Sequence, residues 1–197
     1  MSHIVYRHFH VSPLAPAGFF PVEVESWLYD NFHALKTAIL CVAQLEAPIT
    51  IVNSAVETVI WHIEFGPNEL HSSSGIITEL LGAYSNASAS DNFTLYVKLD
   101  GSLIHTIPRN DGNQTNVGLS LRYNVTIGAE GVSGELYDSA FVFDNGKTYS
   151  VAEALPHAFD TTVSHTLEIS FKWDTAKVGN TMTFKQGFLY SLHTPRA

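Results

Sequence analysis

The chain has 197 residues, of which 45% are hydrophobic and 15% are charged, so it is long enough to bury a core of ordinary size. Its formal net charge is −9, from 10 Lys and Arg against 19 Asp and Glu, and the sequence contains no basic run. Phosphate-backbone binding requires clustered Lys and Arg, so we expect no nucleic-acid partner.

Residues 1–23 are predicted to form an extended N-terminal arm. The segment contains three prolines, which remove backbone donors and favour extended structure. It also carries apolar side chains that a free arm seldom exposes, namely Phe9, Leu14, Phe19 and Phe20. We therefore expect these four side chains to contact another surface, and we favour that of a partner over the chain's own body.

Residues 24–47 are predicted to form one amphipathic α-helix, with Ser26 as N-cap and Pro48 just beyond its end. Apolar residues recur in it at spacings of four and three, which is typical of a helix that packs on other helices. A helix this short is not stable alone, so its stripe must be buried. We favour a trimeric bundle, with packing on the chain's own sandwich as the alternative. The predicted interface consists of Trp27, Leu28, Phe32, Leu35, Ile39 and Val42.

Residues 48–197 are predicted to form an all-β domain. Apolar and polar residues alternate through 59–65, 93–99, 117–127 and 167–173, and the last strand is predicted near 181–193. Less regular strands fit 49–53, 75–84 and 134–143. Asp100-Gly101 predicts a tight hairpin turn, and residues 145–164 are expected to be irregular, with a helical turn near 151–155. One apolar face per strand is typical of antiparallel sheets packed on a single side. We therefore expect an antiparallel β-sandwich with jelly-roll topology, and a closed barrel is the alternative.

The sequence shows no pattern typical of catalysis or metal binding. Apart from His8-x-His10 in the arm, the histidines are scattered singly, and no nucleophile lies in a recognisable motif. Alternation places Glu64 and Glu168 on outer, solvated faces, where burial does not raise a carboxyl pKa. We therefore expect no enzymatic activity, no cofactor and no metal. Tyr96 and Tyr137 are also expected on outer faces, where they either cover neighbouring side chains or stack on sugars.

The sequence also lacks the apolar region of a secretory signal and any stretch long enough to span a membrane. The single Cys41 allows no intrachain disulfide. We accordingly expect synthesis in a cytosol, followed by retention there or departure as part of an assembly, and we expect no membrane partner.

Four segments of the body carry a resemblance to a known family. They are residues 75–85 (GIITELLGAYS), 93–103 (FTLYVKLDGSL), 119–128 (LSLRYNVTIG) and 160–173 (DTTVSHTLEISFKW). Their order is a strand, a hairpin, a long strand that ends in Gly, and a strand that closes on Trp. In this pattern, residues 75–192 resemble jelly-roll domains of structural proteins of tailed bacteriophages, which include capsid decoration and cement proteins, head fibres and tail fibres.

The resemblance implies a role in a virion and no catalytic residues. We favour a homotrimeric capsid decoration or cement protein that contacts the major capsid protein or another virion protein. It would be made in the host cytoplasm and located in the virion. The alternative function is a tail-fibre, receptor-binding or lectin-like recognition module. A trimeric signalling head of host type and an enzyme are less favoured, the former because it needs secretion and usually disulfides.

Overall fold

The computed structural model of the protein describes residues 40–72, 74–109, 112–144, 146–152 and 156–192, which fold as an antiparallel all-β domain. The strands in these ranges are β1 (Leu40–Gln44), β2 (Ile49–Val52), β3 (Thr58–Phe65), β4 (Gly75–Ser85), β5 (Phe93–Leu99), β6 (Ser102–Arg109), β7 (Val117–Ala129), β8 (Glu135–Asp144), β9 (Lys147–Ala152), β10 (His157–Ala158), β11 (His165–Trp173) and β12 (Thr181–Leu192). Among these residues, no helix is long and apolar enough to cross a membrane.

The strands form two sheets in which every pairing is antiparallel. The larger, eight-stranded sheet has the order β1-β12-β4-β7-β8-β10. In it, β2 pairs with the first part of β12 and β1 with the last part, while β9 and β10 pair with successive parts of β8. The smaller, four-stranded sheet has the order β3-β11-β5-β6.

The connections between the sheets follow a jelly-roll order. Strands β2, β12, β4 and β7 are neighbours in the larger sheet, and β3, β11, β5 and β6 make up the smaller one. The chain therefore passes repeatedly from one sheet to the other, as two interlocked Greek keys require. Strands β8, β9 and β10 extend the larger sheet before the chain returns as β11. The predicted all-β fold with antiparallel sheets is confirmed.

Aromatic side chains from both sheets fill the space between them. The rings of Phe171 on β11 and Phe184 on β12 lie 6.0 Å apart, and those of Tyr84 on β4 and Phe93 on β5 lie 5.1 Å apart in an edge-on arrangement. All four side chains are buried. Aromatic pairs of this kind add to the free energy of apolar burial, so the two sheets are held face to face by their inner rows.

The hairpin between β5 and β6 has the turn that the sequence predicts. Asp100 and Gly101 have φ angles of 51° and 75°, as a two-residue type I′ turn requires. The Asp100 carboxylate accepts a hydrogen bond from the backbone N–H of Thr166 at 2.8 Å and lies 2.6 Å from Nδ1 of His165. The turn is therefore fixed to the neighbouring strand β11.

The prediction of a helix over residues 24–47 is wrong for its last part, because Leu40–Gln44 form strand β1. This strand pairs with Phe188–Ser191 of β12 and contains an irregularity between Cys41 and Ala43. The periodicity of a short apolar run is compatible with either a helix or a strand. Here the segment forms a strand because it pairs with β12. The β domain thus begins at residue 40 or before it. Residues 24–39 and the predicted arm at 1–23 lie outside the described residues.

The prediction of an irregular segment at 145–164 is also wrong in part. Residues Lys147–Ala152 form β9, which pairs with β8, and His157–Ala158 form β10. The predicted helical turn over 151–155 is therefore wrong at residues 151 and 152, and residues 153–155 lie outside the described ranges.

Candidate interaction face

The outer face of the eight-stranded sheet, which is turned away from the smaller sheet, carries large apolar side chains. Its central members come from β4, β7, β8 and β12 and alternate along each strand with buried core residues. They are Ile77, Glu79, Leu81, Ser120, Arg122, Asn124, Tyr137, Ser139, Phe141, Phe143, Phe188 and Tyr190. We refer to this surface as the outer face.

The register places these side chains in rows across the strands. In the central row, Phe188, Glu79, Arg122 and Phe141 are successive partners. The carboxylate of Glu79 lies 3.9 Å from Nε of Arg122, and both side chains are substantially exposed. Such an ion pair stabilises the fold by at most about 1 kcal/mol. Because the ion pair lies between Phe188 and Phe141, the row has apolar ends and a polar centre.

Aromatic rings lie on both sides of this row. The rings of Phe188 and Tyr190, two residues apart on β12, are stacked with centroids 6.0 Å apart. On β8, Tyr137 and Phe143 remain 43% and 48% exposed, which is unusual for large hydrophobic side chains inside a strand. Tyr137 packs over Gly128, where an added Cβ would lie 2.5 Å from the ring. Large apolar side chains that stay exposed around a polar centre are suited to contact with a partner protein.

Two shallow depressions lie on the outer face. One is lined by Ile77, Glu79, Arg122 and Tyr190. The other is lined by residues of β4, β7 and β8, including Phe143, and by Gly146 in the turn after β8. Both are open to solvent, whereas small-molecule sites usually enclose most of their ligand. This geometry is suited to contact with a broad, flat partner.

Two clusters of buried charged side chains join the sheets behind this surface. In the first, Arg109 on β6 pairs with Asp144 on β8, with Nη2 and Oδ2 2.6 Å apart and both side chains almost fully buried. The hydroxyl of Tyr84 donates to both carboxylate oxygens at 2.9 and 3.1 Å. The guanidinium carbon of Arg109 lies 3.3 Å from the centre of the Tyr149 ring. The cluster connects β6 of the smaller sheet with β4, β8 and β9 of the larger one.

The second cluster surrounds Asp138 on β8. Its Oδ2 atom lies 2.5 Å from Nε2 of His105 and accepts a hydrogen bond from the Tyr123 hydroxyl at 2.5 Å, and its Oδ1 atom lies 3.2 Å from Nε2 of His157. Burial opposes ionisation of Asp138, but the contacts with His105 and Tyr123 outweigh it and hold the pKa of Asp138 below its usual value. Burial and the Asp138 charge raise the pKa of Tyr123, which stays protonated.

The outer face of the four-stranded sheet carries a different arrangement. His62 lies between two glutamates, with Nε2 3.2 Å from Glu64 and Nδ1 3.2 Å from Glu168. Partial burial opposes protonation, yet the two carboxylates raise the pKa of His62. The prediction that Glu64 and Glu168 face outward is confirmed. Within the described ranges, no three His, Cys, Asp or Glu side chains are grouped so as to hold a metal ion.

Most of the predicted interface residues lie outside the described part of the chain. These are Trp27, Leu28, Phe32, Leu35 and Ile39 of the helical stripe and Phe9, Leu14, Phe19 and Phe20 of the arm. Their roles stay predictions. Val42 lies in β1, so its assignment to the helix is wrong.

The outer face was missed by sequence reasoning, although a signal for it exists. Ile76-Ile77 and Leu80-Leu81 place apolar residues at consecutive positions of β4, which breaks the alternation expected for a strand with one solvated face. The first member of each pair is buried in the core, and the second lies on the outer face. Paired apolar residues in an otherwise alternating strand thus indicate a sheet with two apolar faces.

No family model matches the chain, and no curated protein matches it. The chain is similar to the CBM2 module of the evolved Dit of Lactobacillus casei BL23 phage J-1, with 10% identity over 77% of each chain and a TM-score of 0.41. It is similar to a protein in the structure of infectious bursal disease virus Gt strain, with 13% identity over 79% of this chain and 31% of that chain and a TM-score of 0.32.

A third similarity is to the insecticidal delta-endotoxin Cry8Ea1 from Bacillus thuringiensis, with 16% identity and a TM-score of 0.35. The match covers 74% of this chain and 20% of the toxin, so the chain spans about one fifth of that protein's length. At these TM-scores, none of the three similarities carries an argument about function.

Proposed function

We propose that this protein is a structural protein of a virus particle, where it acts as a homotrimeric capsid decoration or cement protein. The observation that carries the proposal is the outer face, whose exposed aromatic side chains surround a polar centre and whose depressions are open to solvent, as suits contact with another protein. The jelly-roll order of the strands supports it, as does the resemblance of residues 75–192 to structural proteins of tailed bacteriophages. The partner in this proposal is the major capsid protein or another virion protein.

The outer face is large enough for part of such a contact. Its four strands at about 4.8 Å spacing give a width of roughly 19 Å, and the seven residues from Tyr137 to Phe143 at about 3.3 Å give a length of roughly 23 Å. The product, about 440 Å², is about half of one side of an interface of standard size, so the proposed contact would also include neighbouring surface.

Trimer formation is proposed from the sequence pattern, because residues 24–39 lie outside the described residues. The apolar stripe that includes Leu28, Phe32 and Leu35 is expected to pack on the same stripe of sister copies. Three linked copies would then bind a particle with avidity.

The oligomeric state is tested by measuring the mass of the purified protein in solution with light scattering. We expect a trimer for the natural chain and a monomer for the double variant Leu35→Asp/Ile39→Asp, because two buried charges oppose helix packing. The matched control His33→Asp/Thr37→Asp adds the same charges to the polar side of the predicted helix and should remain trimeric. A monomeric natural chain, or an unchanged mass for the stripe variant, would contradict this part of the proposal.

The location is tested by quantitative mass spectrometry of purified particles from the source of the sequence. Peptides of this chain are expected at a fixed ratio to the major capsid protein. Particles that contain the major capsid protein without this chain would refute the proposed virion role.

A lectin-like recognition module is the second candidate function, and one observation favours it. Tyr137 is 43% exposed, its ring lies over Gly128, and its hydroxyl is 3.4 Å from the carboxylate of Glu135. An exposed ring beside a carboxylate offers a sugar both a stacking surface and a hydrogen-bond acceptor. Binding on a glycan array that disappears in Tyr137→Ala, but persists in the control Tyr96→Ala, would favour this candidate over a cement protein.

A further inference from the structure

One depression on the outer face combines an aromatic ring with side chains that can hydrogen-bond sugar hydroxyls. It lies between β12, β4 and β7, is lined by Ile77, Glu79, Arg122 and Tyr190, and has a volume of about 210 Å³. Small-molecule pockets are usually larger, at about 300–1,000 Å³, and enclose most of their ligand. This depression is therefore suited to receive one unit of an extended ligand whose other units lie on the surrounding face.

The guanidinium of Arg122 is held by its neighbours through one nitrogen only. Its Nε atom donates to Oδ1 of Asn124 at 3.2 Å and lies 3.9 Å from the Glu79 carboxylate. Nδ2 of Asn124 in turn donates to the Ser139 hydroxyl at 3.2 Å. Within the described ranges, the two Nη atoms of Arg122 have no hydrogen-bond partner. The planar group can therefore donate to two adjacent oxygens of a ligand, and little ordering is needed because its neighbours already hold it.

Tyr190 supplies the apolar part of the site. Its ring is half-buried and stacks on that of Phe188, with centroids 6.0 Å apart and planes at 26°. Across β12 and β4, Tyr190 is the partner of Ile77, so its side chain borders the depression. An aromatic face offers apolar contact to the C–H side of a sugar ring, while a guanidinium donates to its hydroxyls and a carboxylate accepts from them.

The charges at the depression favour a neutral ligand over an acidic one. The Glu79 carboxylate offsets the charge of Arg122, with 3.9 Å between Oε1 and Nε. The whole chain has a formal net charge of −9, so its field repels an acidic saccharide. A neutral sugar meets no such repulsion, and its adjacent hydroxyls can use both side chains at once.

We propose that this depression is a binding site for a neutral oligosaccharide, with Tyr190 as the stacking ring and Arg122 and Glu79 as the hydroxyl-binding pair. The inference rests on the lectin-like second candidate function and deepens it, because it names the ligand class and a site on β12, β4 and β7. Tyr137 lies on β8, three strands from β12 at about 4.8 Å each. The proposed role in a capsid does not depend on this site.

An array of neutral and uronic-acid oligosaccharides tests the proposal on the full chain, followed by calorimetric titration of the neutral member with the highest signal. We expect binding of neutral members. Tyr190→Ala, which removes the ring, and Arg122→Lys, which keeps the charge but loses the planar fork, should each weaken binding roughly tenfold. The controls Tyr190→Phe, which keeps the ring, and Tyr96→Ala, on the outer face of the smaller sheet, should bind as the natural chain does.

Three results would overturn the site. They are the absence of binding to every neutral oligosaccharide, binding to uronic-acid members alone, and unchanged affinity in both Tyr190→Ala and Arg122→Lys. Loss of binding in Tyr137→Ala with full binding in Tyr190→Ala would also overturn this site, but it would leave the lectin-like function in place. The failure of this inference is thereby distinguished from the failure of the function on which it rests.

Discussion

Removal of the Asp144 charge is expected to destabilise the fold strongly. The carboxylate is 0% exposed, lies 2.6 Å from Nη2 of Arg109 and accepts hydrogen bonds from Tyr84. In Asp144→Asn the shape is kept, but the buried Arg109 guanidinium loses the Asp144 carboxylate. Breaking a buried pair in this way costs about 3–5 kcal/mol. With a urea slope of about 2 kcal/mol per M, the unfolding midpoint should fall by roughly 1.5–2.5 M.

The assay is urea unfolding followed by fluorescence of Trp61 and Trp173, which are 1% and 0% exposed. Glu79→Gln is the matched control, because it removes the carboxylate of an ion pair with Arg122 that is largely exposed, and its cost should not exceed about 1 kcal/mol. A midpoint for Asp144→Asn no lower than that of Glu79→Gln would refute the reasoning.

Four further substitutions and one additive give equally direct tests. Gly82→Ala should lower the free energy of unfolding by about 1–3 kcal/mol, because the added Cβ would lie 2.6 Å from the backbone oxygen of Thr183. The control Gly118→Ala, whose added Cβ would have nothing within 4 Å, should change the free energy of unfolding by less than about 0.5 kcal/mol. Equal unfolding midpoints for the two variants would contradict this prediction. Leu80→Ala, at a position 0% exposed, should lose about 2–5 kcal/mol in the same assay, and a loss below 1 kcal/mol would be inconsistent with the described core. Because folding lowers the pKa of Asp138, ionised Asp138 stabilises the fold above its unfolded pKa of about 3.9, and this stabilisation is lost as pH falls through the lower folded value. In Asp138→Asn, the free energy of unfolding measured against pH should lack this loss at acid pH. A chelator should leave the melting temperature of the natural chain unchanged, and a large fall would indicate a structural metal.

The strands that the sequence predicts well are those whose two faces differ in polarity. In β7 the buried residues Leu119, Leu121, Tyr123, Val125 and Ile127 alternate with polar ones, and the strand forms over that whole range. The hairpin at Asp100-Gly101 was equally readable, because only a few residue types adopt positive φ at both positions.

The failures have identifiable physical causes. The apolar run that begins at Leu40 continues the helical spacing, and only its pairing with β12 makes it a strand, which no local pattern contains. Strand β9 was missed although Asn145-Gly146, a strong hairpin signal, directly precedes it. Residues 147–152 also alternate in polarity, with Tyr149 and Val151 packed against the core, so a short strand pattern was present and was overlooked.

The two buried charged clusters could not be predicted from the sequence either. Arg109, Asp138 and Asp144 are charged residues, which are almost never fully buried unless they are paired. Each finds its partner on a strand of the opposite sheet, and those contacts exist only once the sandwich has formed. Sequence alternation assigns such residues to an inner or outer face, but it cannot say which distant charge lies opposite.

The place of β12 in the larger sheet has a consequence for biosynthesis. This strand comes last in the described chain, yet it fills the position between β4 on one side and β1 and β2 on the other, so that Val52 pairs with Thr181 and Gly75 with Leu192. A nascent chain on the ribosome therefore lacks an interior strand of its larger sheet until translation has passed residue 192. Pairings between such distant parts of a chain form slowly. We expect the sandwich to form only after synthesis. Until then, the sides of β2 and β4 that pair with β12 are unpaired, and they require chaperones or rapid release from the ribosome to avoid aggregation.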